Sequence, residues 1–268
     1  MSLSIAGKTA IVTGAAKGIG LAVARHFQAK GANVMFVDID EACLEDEVGE
    51  EARSEGPVRL FSGDLREKLT IANLLSATID AFDRVDILVN ASRRMAISDP
   101  LNPEDDAVEM LWQENVMTSL RLSQMTARRM IAQAEKSGDD GVIGSIINIS
   151  SIAGTRTQPG LLGYSIASAA VDQMTRALAV ALAPKGIRVN AVAFGSVMSA
   201  SLKTALKDRP DWRDAIVDGT PLGRIASPDE LTEVMQFLAS DASSFMTGQV
   251  VQIDGGRGLL DRVVIPAY

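Results

Sequence analysis

The chain has 268 residues, enough for one large domain or two small ones. It carries 26 Lys and Arg against 34 Asp and Glu, a formal charge of −8 with no basic run, which argues against nucleic acid or an anionic membrane as partner. A single cysteine, Cys43, leaves no disulfide framework, and a single histidine, His26, leaves no multi-histidine metal site and argues against a Ser-His-Asp triad.

No bound metal is expected. No signal-peptide pattern is present and no apolar run is expected to reach membrane-spanning length, so the expected location is cytoplasmic.

In chain order, Ala10–Thr13 is the first predicted strand, a β-branched apolar run. It ends in the turn Thr13-Gly14-Ala15-Ala16-Lys17-Gly18-Ile19-Gly20, and a helix is predicted over 19–30. Further strands are predicted at Asn33–Val37, Val58–Phe61, Asp86–Asn90, Ser145–Ser150, Arg188–Ala193 and Val250–Ile253. Helices are predicted over 41–54, 67–82, 103–135, 163–183 and 228–239, with a loop at 135–141. Strands alternating with helices imply an α/β fold, a doubly wound Rossmann-type parallel sheet of about seven strands with helices on both faces. No linker or repeat divides residues 1–268, so one dinucleotide-binding and catalytic domain is expected. Asp38, Asp64, Asn90, Ser151 and Gly195 all fall at or just after strand ends. In such a sheet that places them together on the edge where ligands bind.

Gly14, Gly18 and Gly20 form T-G-x-x-x-G-x-G, a wider variant of the dinucleotide fingerprint, with Lys17 and Ile19 inside the turn. Glycine lets backbone approach a pyrophosphate, and the helix start offers unbonded N–H groups and a positive dipole end. A glycine turn alone is weak evidence. Asp38, ending the second strand about twenty residues on, strengthens it. A carboxylate there accepts from the adenosine ribose hydroxyls and repels a 2′-phosphate, which favours NAD over NADP; Lys17 pulls weakly the other way.

Downstream, Ser145–Gly154 reads S-I-I-N-I-S-S-I-A-G, Tyr164 follows Ser151 as S-x₁₂-Y, and Asn115 lies on the long preceding helix. With T-G-x-x-x-G-I-G, D-I-L-V-N, R-V-N-A-V and G-Q-V-V-Q-I-D-G-G in that order, the chain from Lys8 to Gly256 resembles the short-chain dehydrogenase/reductase family in its compact single-domain branch. The resemblance implies Tyr164 as general acid/base, Ser151 as hydrogen-bond partner of the substrate oxygen and Asn115 in a water-mediated proton relay. It also implies that Asp64 with Leu65 lies near the adenine, Asn90 with Ala91 on the adenosine side, and Gly195, Val197 and Ser199 toward the nicotinamide. Hydride transfer to a carbonyl builds negative charge on oxygen, so two hydroxyl donors aimed at it suit that chemistry.

Three positions depart from the family pattern. Y-x-x-x-K is here Tyr164-Ser165-Ile166-Ala167-Ser168, so serine stands one helical turn after the tyrosine in place of lysine. An unperturbed tyrosine titrates near ~10, leaving about a thousandth ionised at neutral pH; bringing that down three units corresponds to roughly 4 kcal/mol, the work the lysine charge would share. N-N-A-G becomes Asn90-Ala91-Ser92-Arg93, and the proline before Gly195 becomes Phe194.

The expected function is hydride transfer between NAD (NADP less favoured) and a secondary alcohol or ketone. The alternative is a silent NAD(H)-binding relative acting as sensor or scaffold, and a methyltransferase is a third reading that Asp38 and S-x₁₂-Y disfavour. If the missing lysine limits the enzyme, Ser168→Lys raises turnover. Segment 196–221, with Leu202, Leu206, Trp212 and Ile216, is expected to act as an apolar lid. Arg93, Arg94 and Arg156 would favour an anionic substrate if they face it, though solvated loop arginines are commoner. By resemblance the chain forms a homo-oligomer, a dimer of dimers, through helices 103–135 and 163–183, and the apolar segment 259–268 could reach a neighbouring subunit.

Overall fold

The computed structural model describes residues 2–104 and 106–261. Seven parallel strands form one sheet: β1 Thr9–Thr13, β2 Asn33–Asp38, β3 Val58–Ser62, β4 Ile87–Asn90, β5 Gly144–Ser151, β6 Ile187–Phe194 and β7 Val250–Ile253. Their order is β3-β2-β1-β4-β5-β6-β7, so the chain reverses direction across the sheet between β1 and β4. The doubly wound expectation holds, and each expected strand is present within a residue of its expected limits.

Strand periodicity distributes the core over two layers. Ala10 and Val12 of β1 pack toward helices α1 (Gly18–Ala29), α2 (Glu41–Arg53) and a later helix, Asp229–Ala239, through Phe27, Leu44 and Met235. Ile11 faces the other way, toward α3 (Lys68–Phe82) and a helix at 118–137, through Leu74, Leu122 and Met130. Because both faces are covered, the strands read as continuous apolar runs instead of alternating ones.

The helix expected from residue 103 starts later, as α4 Val108–Leu111. Three acceptor side chains hold the preceding segment in turns. Asp99 accepts from Leu101 N (2.9 Å), Asn102 from Glu104 N (3.3 Å) and Asp106 from Val108 N (2.9 Å). Asp and Asn there compete for the N–H groups a helix would need. After α4 the chain widens into a π-helical turn, Trp112–Met117, before α5 Thr118–Ser137. Such turns recur at functional sites.

Next come α6 Leu162–Leu182, α7 Ala200–Asp208, α8 Asp211–Asp218 and α9 Asp229–Ala239. Contrary to expectation, Leu162–Lys185 has the length and apolarity of a membrane span. In this fold it is a layer helix, with Ala167, Val171 and Ala179 buried. The segment expected as a lid forms α7 and α8, with Leu202, Leu206 and Ile216 half-buried and Trp212 exposed. Of the apolar C-terminal segment, residues 262–268 lie outside the described residues.

Candidate active site

A cleft of about 840 Å³ opens along the carboxyl ends of the strands, at the β1/β4 reversal. Gly14, Lys17, Gly18, Ile19, Gly20, Asp38, Asp64, Leu65, Ala91, Asn115, Tyr164, Val197 and Ser199 line it. Most of the expected site residues therefore meet in one space. Three do not line it. Asn90 is buried beneath, donating to Ser123 Oγ (2.9 Å) and Asn148 Oδ1 (2.8 Å). Gly195 packs against Asp254. Ser151 is buried at the end of β5.

The glycine turn is a close-packed hinge between β1 and α1. A Cβ on Gly20 would sit 2.1 Å from Gly14 O, and one on Gly14 would sit 2.9 Å from Ser92 Cα. Gly18 differs: its φ is +64° and a Cβ there would meet nothing within 4 Å. That is an open cradle. The first N–H groups of α1, like those of any helix, have no intrahelical acceptor, and the N-cap side chain of Lys17 supplies none. These features suit a bound pyrophosphate.

At the end of β2, Asp38 accepts from Ala16 N and from Asp40 N, each at 3.1 Å, which fixes its carboxylate against the glycine turn. Lys17 pairs with Asp40 at 3.6 Å. Asp64 is gripped by the Arg66 guanidinium, which holds its carboxyl below the usual carboxylate range.

The loop after β4 is held at both ends. Thr13 Oγ1 accepts from Ala91 N and Ser92 N at 3.0 Å each. Asn115, in the π-helical turn, accepts from Arg94 N (2.9 Å) and donates to Arg94 O (2.8 Å). The asparagine singled out in the sequence thus clamps the loop with its side chain, while its own carbonyl accepts from Ser119 Oγ (3.0 Å).

Tyr164 stands in the first turn of α6. Ser151 Oγ accepts from Ala153 N (3.2 Å), and its O–H remains able to donate. Ser168 is fully buried one turn after Tyr164 and donates to Tyr164 O (2.7 Å). Its Oγ also accepts from Arg93 Nη2 at 3.0 Å. The Arg93 guanidinium carbon lies 4.7 Å from the centre of the Tyr164 ring.

Sequence reasoning placed Arg93 near the site but gave it no partner. The three arginines weighed as an anion site, against the commoner solvated reading, each have another partner: Arg93 here, Arg94 with Glu114 (3.2 Å), and Arg156 with Gly258 O. Arg93, 75 residues from Ser168, carried one sequence signal: a long cation where the family pattern has glycine.

The family model described as enoyl-(acyl carrier protein) reductase matches residues 14–257. A 3-oxoacyl-[acyl-carrier-protein] reductase of Thermotoga maritima is 35% identical over 257 residues, covering 95% of this chain and 99% of the relative. The cis-4-hydroxycyclohexanecarboxylate dehydrogenase of Sinomonas cyclohexanicum is 34% identical, covering 96% and 98%. Among solved structures, a 7α-hydroxysteroid dehydrogenase complexed with NADH and 7-oxo glycochenodeoxycholic acid superposes with a TM-score of 0.85 at 30% identity, covering 95% of each chain. A short-chain type dehydrogenase/reductase from Mycobacterium marinum gives 0.82 at 29% identity, covering 96% and 99%. Extent of match, fold and site position agree: the chain belongs to the short-chain dehydrogenase/reductase family, an oxidoreductase family using NAD(P)(H).

Proposed function

We propose that the protein is an NAD-preferring dehydrogenase or reductase acting on a secondary alcohol or ketone. The observation that carries this reading is a single cleft running from the open cradle at Gly18, past Asp38, to Tyr164. The α1 N-terminus would hold the pyrophosphate, and Asp38 would accept from the adenosine ribose hydroxyls while disfavouring a 2′-phosphate. Asp64 with Leu65 would border the adenine, and Val197 and Ser199 the nicotinamide end. Bound nicotinamide supplies or accepts the hydride. Tyr164 moves the proton to or from the substrate oxygen, and Ser151 donates to that oxygen as charge builds on it. Asn115 keeps the loop beside Tyr164 in place and belongs to the proton path through its turn. Exposed Met95, which also lines the cleft, favours a substrate with an apolar carbon skeleton.

Titration with NADH and, in parallel, NADPH tests the reading. Tight NADH binding with weak NADPH binding is expected, and binding of neither would overturn it. The alternative is a silent NAD(H)-binding relative, motivated by Ser168. NADH binding without turnover across alcohols and ketones would favour that alternative. We also propose a homotetramer, a dimer of dimers, supported by Val180, an apolar side chain 78% exposed on α6, the helix that the family resemblance assigns to subunit pairing. A monomer in light scattering would refute it.

A further inference from the structure

We propose that Arg93 supplies the cation beside Tyr164 that the sequence lacks at residue 168, so that Arg93 and Ser168 form one electrostatic unit with the tyrosine. The inference rests on the dehydrogenase reading for its catalytic meaning, though not for its test. Three observations carry it. The guanidinium lies over the Tyr164 ring, 4.7 Å from carbon to ring centre. Nη2 donates to Ser168 Oγ at 3.0 Å, so the serine receives the arginine at the position from which a lysine would act. Nε and Nη1 are buried without a hydrogen-bond partner, and among the described residues no carboxylate lies within ion-pair distance of the group. Its charge is therefore not cancelled by a direct neighbour.

The phenol oxygen is bonded to that ring, so the guanidinium carbon lies within roughly 8 Å of it, inside the screening length of physiological salt. A cation nearby favours phenolate over phenol. Ser168 is small enough to leave the space that the guanidinium enters, and a lysine there would compete for it. The serine and the arginine are thus complementary substitutions.

Other charges near α6 do not replace this one. Asp172, two turns after Tyr164, is the buried carboxylate that feels Arg93, along with Ser150 and Arg176; burial pushes its carboxyl up, and it lies beyond ion-pair distance of the guanidinium. Glu114 in the π-helical turn is taken by Arg94 and Arg66. Glu109 of α4 is exposed. Arg156 is bound to Gly258 O, and Arg188 sits near the opposite end of β6.

The sequence has two tyrosines, so Tyr268→Phe leaves Tyr164 as the single phenol. In that background, ultraviolet phenolate titration of the nucleotide-free protein reads Tyr164 directly. Arg93→Met is expected to move the titration to higher pH, because the cation over the ring is gone. Arg93→Lys is expected to keep part of the effect. Coincident titrations of the parent and a folded Arg93→Met protein would overturn the proposal.

Thermal melts provide a second arm should Arg93→Met fail to fold. Ser168→Lys alone places two cations in one buried space and is expected to melt below the pair Arg93→Gly with Ser168→Lys. Equal melting of those two proteins would overturn the complementarity. Neither arm needs nucleotide or substrate. A protein that binds no NADH would end the dehydrogenase reading and leave these results standing; a null titration with NADH bound would end only the role of Arg93.

Discussion

Gly20→Ala is the sharpest test of the glycine turn. The added Cβ would meet Gly14 O at 2.1 Å, Gly14 C at 2.6 Å and Thr13 O at 2.8 Å. All three are backbone, so no rotamer change relieves the contact. The turn cannot retreat either. On its other side Gly14 already abuts Ser92 and Ala91, whose amides are bonded to Thr13 Oγ1. Restoring ordinary contact needs a shift of about 1 Å in the start of α1, and overpacking of this kind costs about 1–3 kcal/mol. For a chain of this size that is a fall of roughly 2–5 °C in melting temperature. The same shift takes N–H groups of the first turn away from a bound phosphate. Each such charge-assisted bond is worth about 1.5–3 kcal/mol, so NADH affinity should fall roughly ten- to a hundredfold. Gly18→Ala is the control. Its Cβ meets nothing, so only the left-handed φ of +64° is strained, at about 1 kcal/mol, while the methyl enters the proposed phosphate cradle. Gly18→Ala should therefore lose NADH affinity with a smaller loss of stability. A Gly20→Ala protein with parental melting temperature and parental NADH affinity would refute the reasoning.

Three further outcomes are expected. Asp38→Ser removes a carboxylate opposing a 2′-phosphate of charge about −1.5 to −2; at ~5 Å and an effective dielectric of 40–80 that repulsion is about 1.2–3.3 kcal/mol, so NADPH affinity should rise roughly eight- to three-hundredfold, and an unchanged NADPH titration would count against the adenosine site. Asp172 has its carboxyl raised by burial, so the unfolded chain ionises first and native stability falls as pH rises from the ordinary aspartate value through the raised one. Asp172→Asn should thus gain stability relative to the parent between acid and neutral pH in urea unfolding, and a pH-independent difference would refute this. Glu230 is held down at about 2 by Arg224 and by Ser227 N, so its contribution is present above the ordinary glutamate range and is lost as pH falls toward that value. Glu230→Gln should flatten the acid limb of the stability profile; an unchanged limb would show that the pair contributes nothing.

The inner strands were legible because they are apolar, β-branched runs buried on both faces, while the outer β3 and β7 are only half-buried and were marked by their short Val-led runs. Ends slipped by a residue where Thr9, Ile187 and Phe194 continue the pairing beyond the expected limits. The helix expected from 103 failed for a local reason: Asp99, Asn102 and Asp106 bond the backbone ahead of them, and periodicity does not register that competition. Helices α7 and α8 had start signals in Ser199, which accepts from Leu202 N (3.3 Å), and in Pro210-Asp211, but both helices are short and half-exposed, so their apolar pattern is brief. In the site, glycine spacing and strand-end position announced most cleft residues. Spacing says nothing about depth, which is why Asn90 emerged as a buried tie between β4, β5 and α5.

The gap at residue 168 was legible in sequence and its filling was not, because the two halves lie 75 residues apart and meet only through the folded loop after β4. That loop leaves Arg93 little freedom at its base. Thr13 holds the two residues before it and Asn115 holds the residue after it. Anchoring of this kind lowers the entropy lost when a long side chain is ordered. Arginine suits the geometry better than lysine would from this distance, since one planar group can lie over the ring and still donate to Ser168. What the chemistry asks for is a positive charge near a phenol, and the requirement is met in space by whichever strand end can deliver it. Ser168→Lys alone, which raises turnover if the charge is simply missing, should therefore lower stability in a protein that already holds the charge. Its effect should reverse sign once Arg93 is removed.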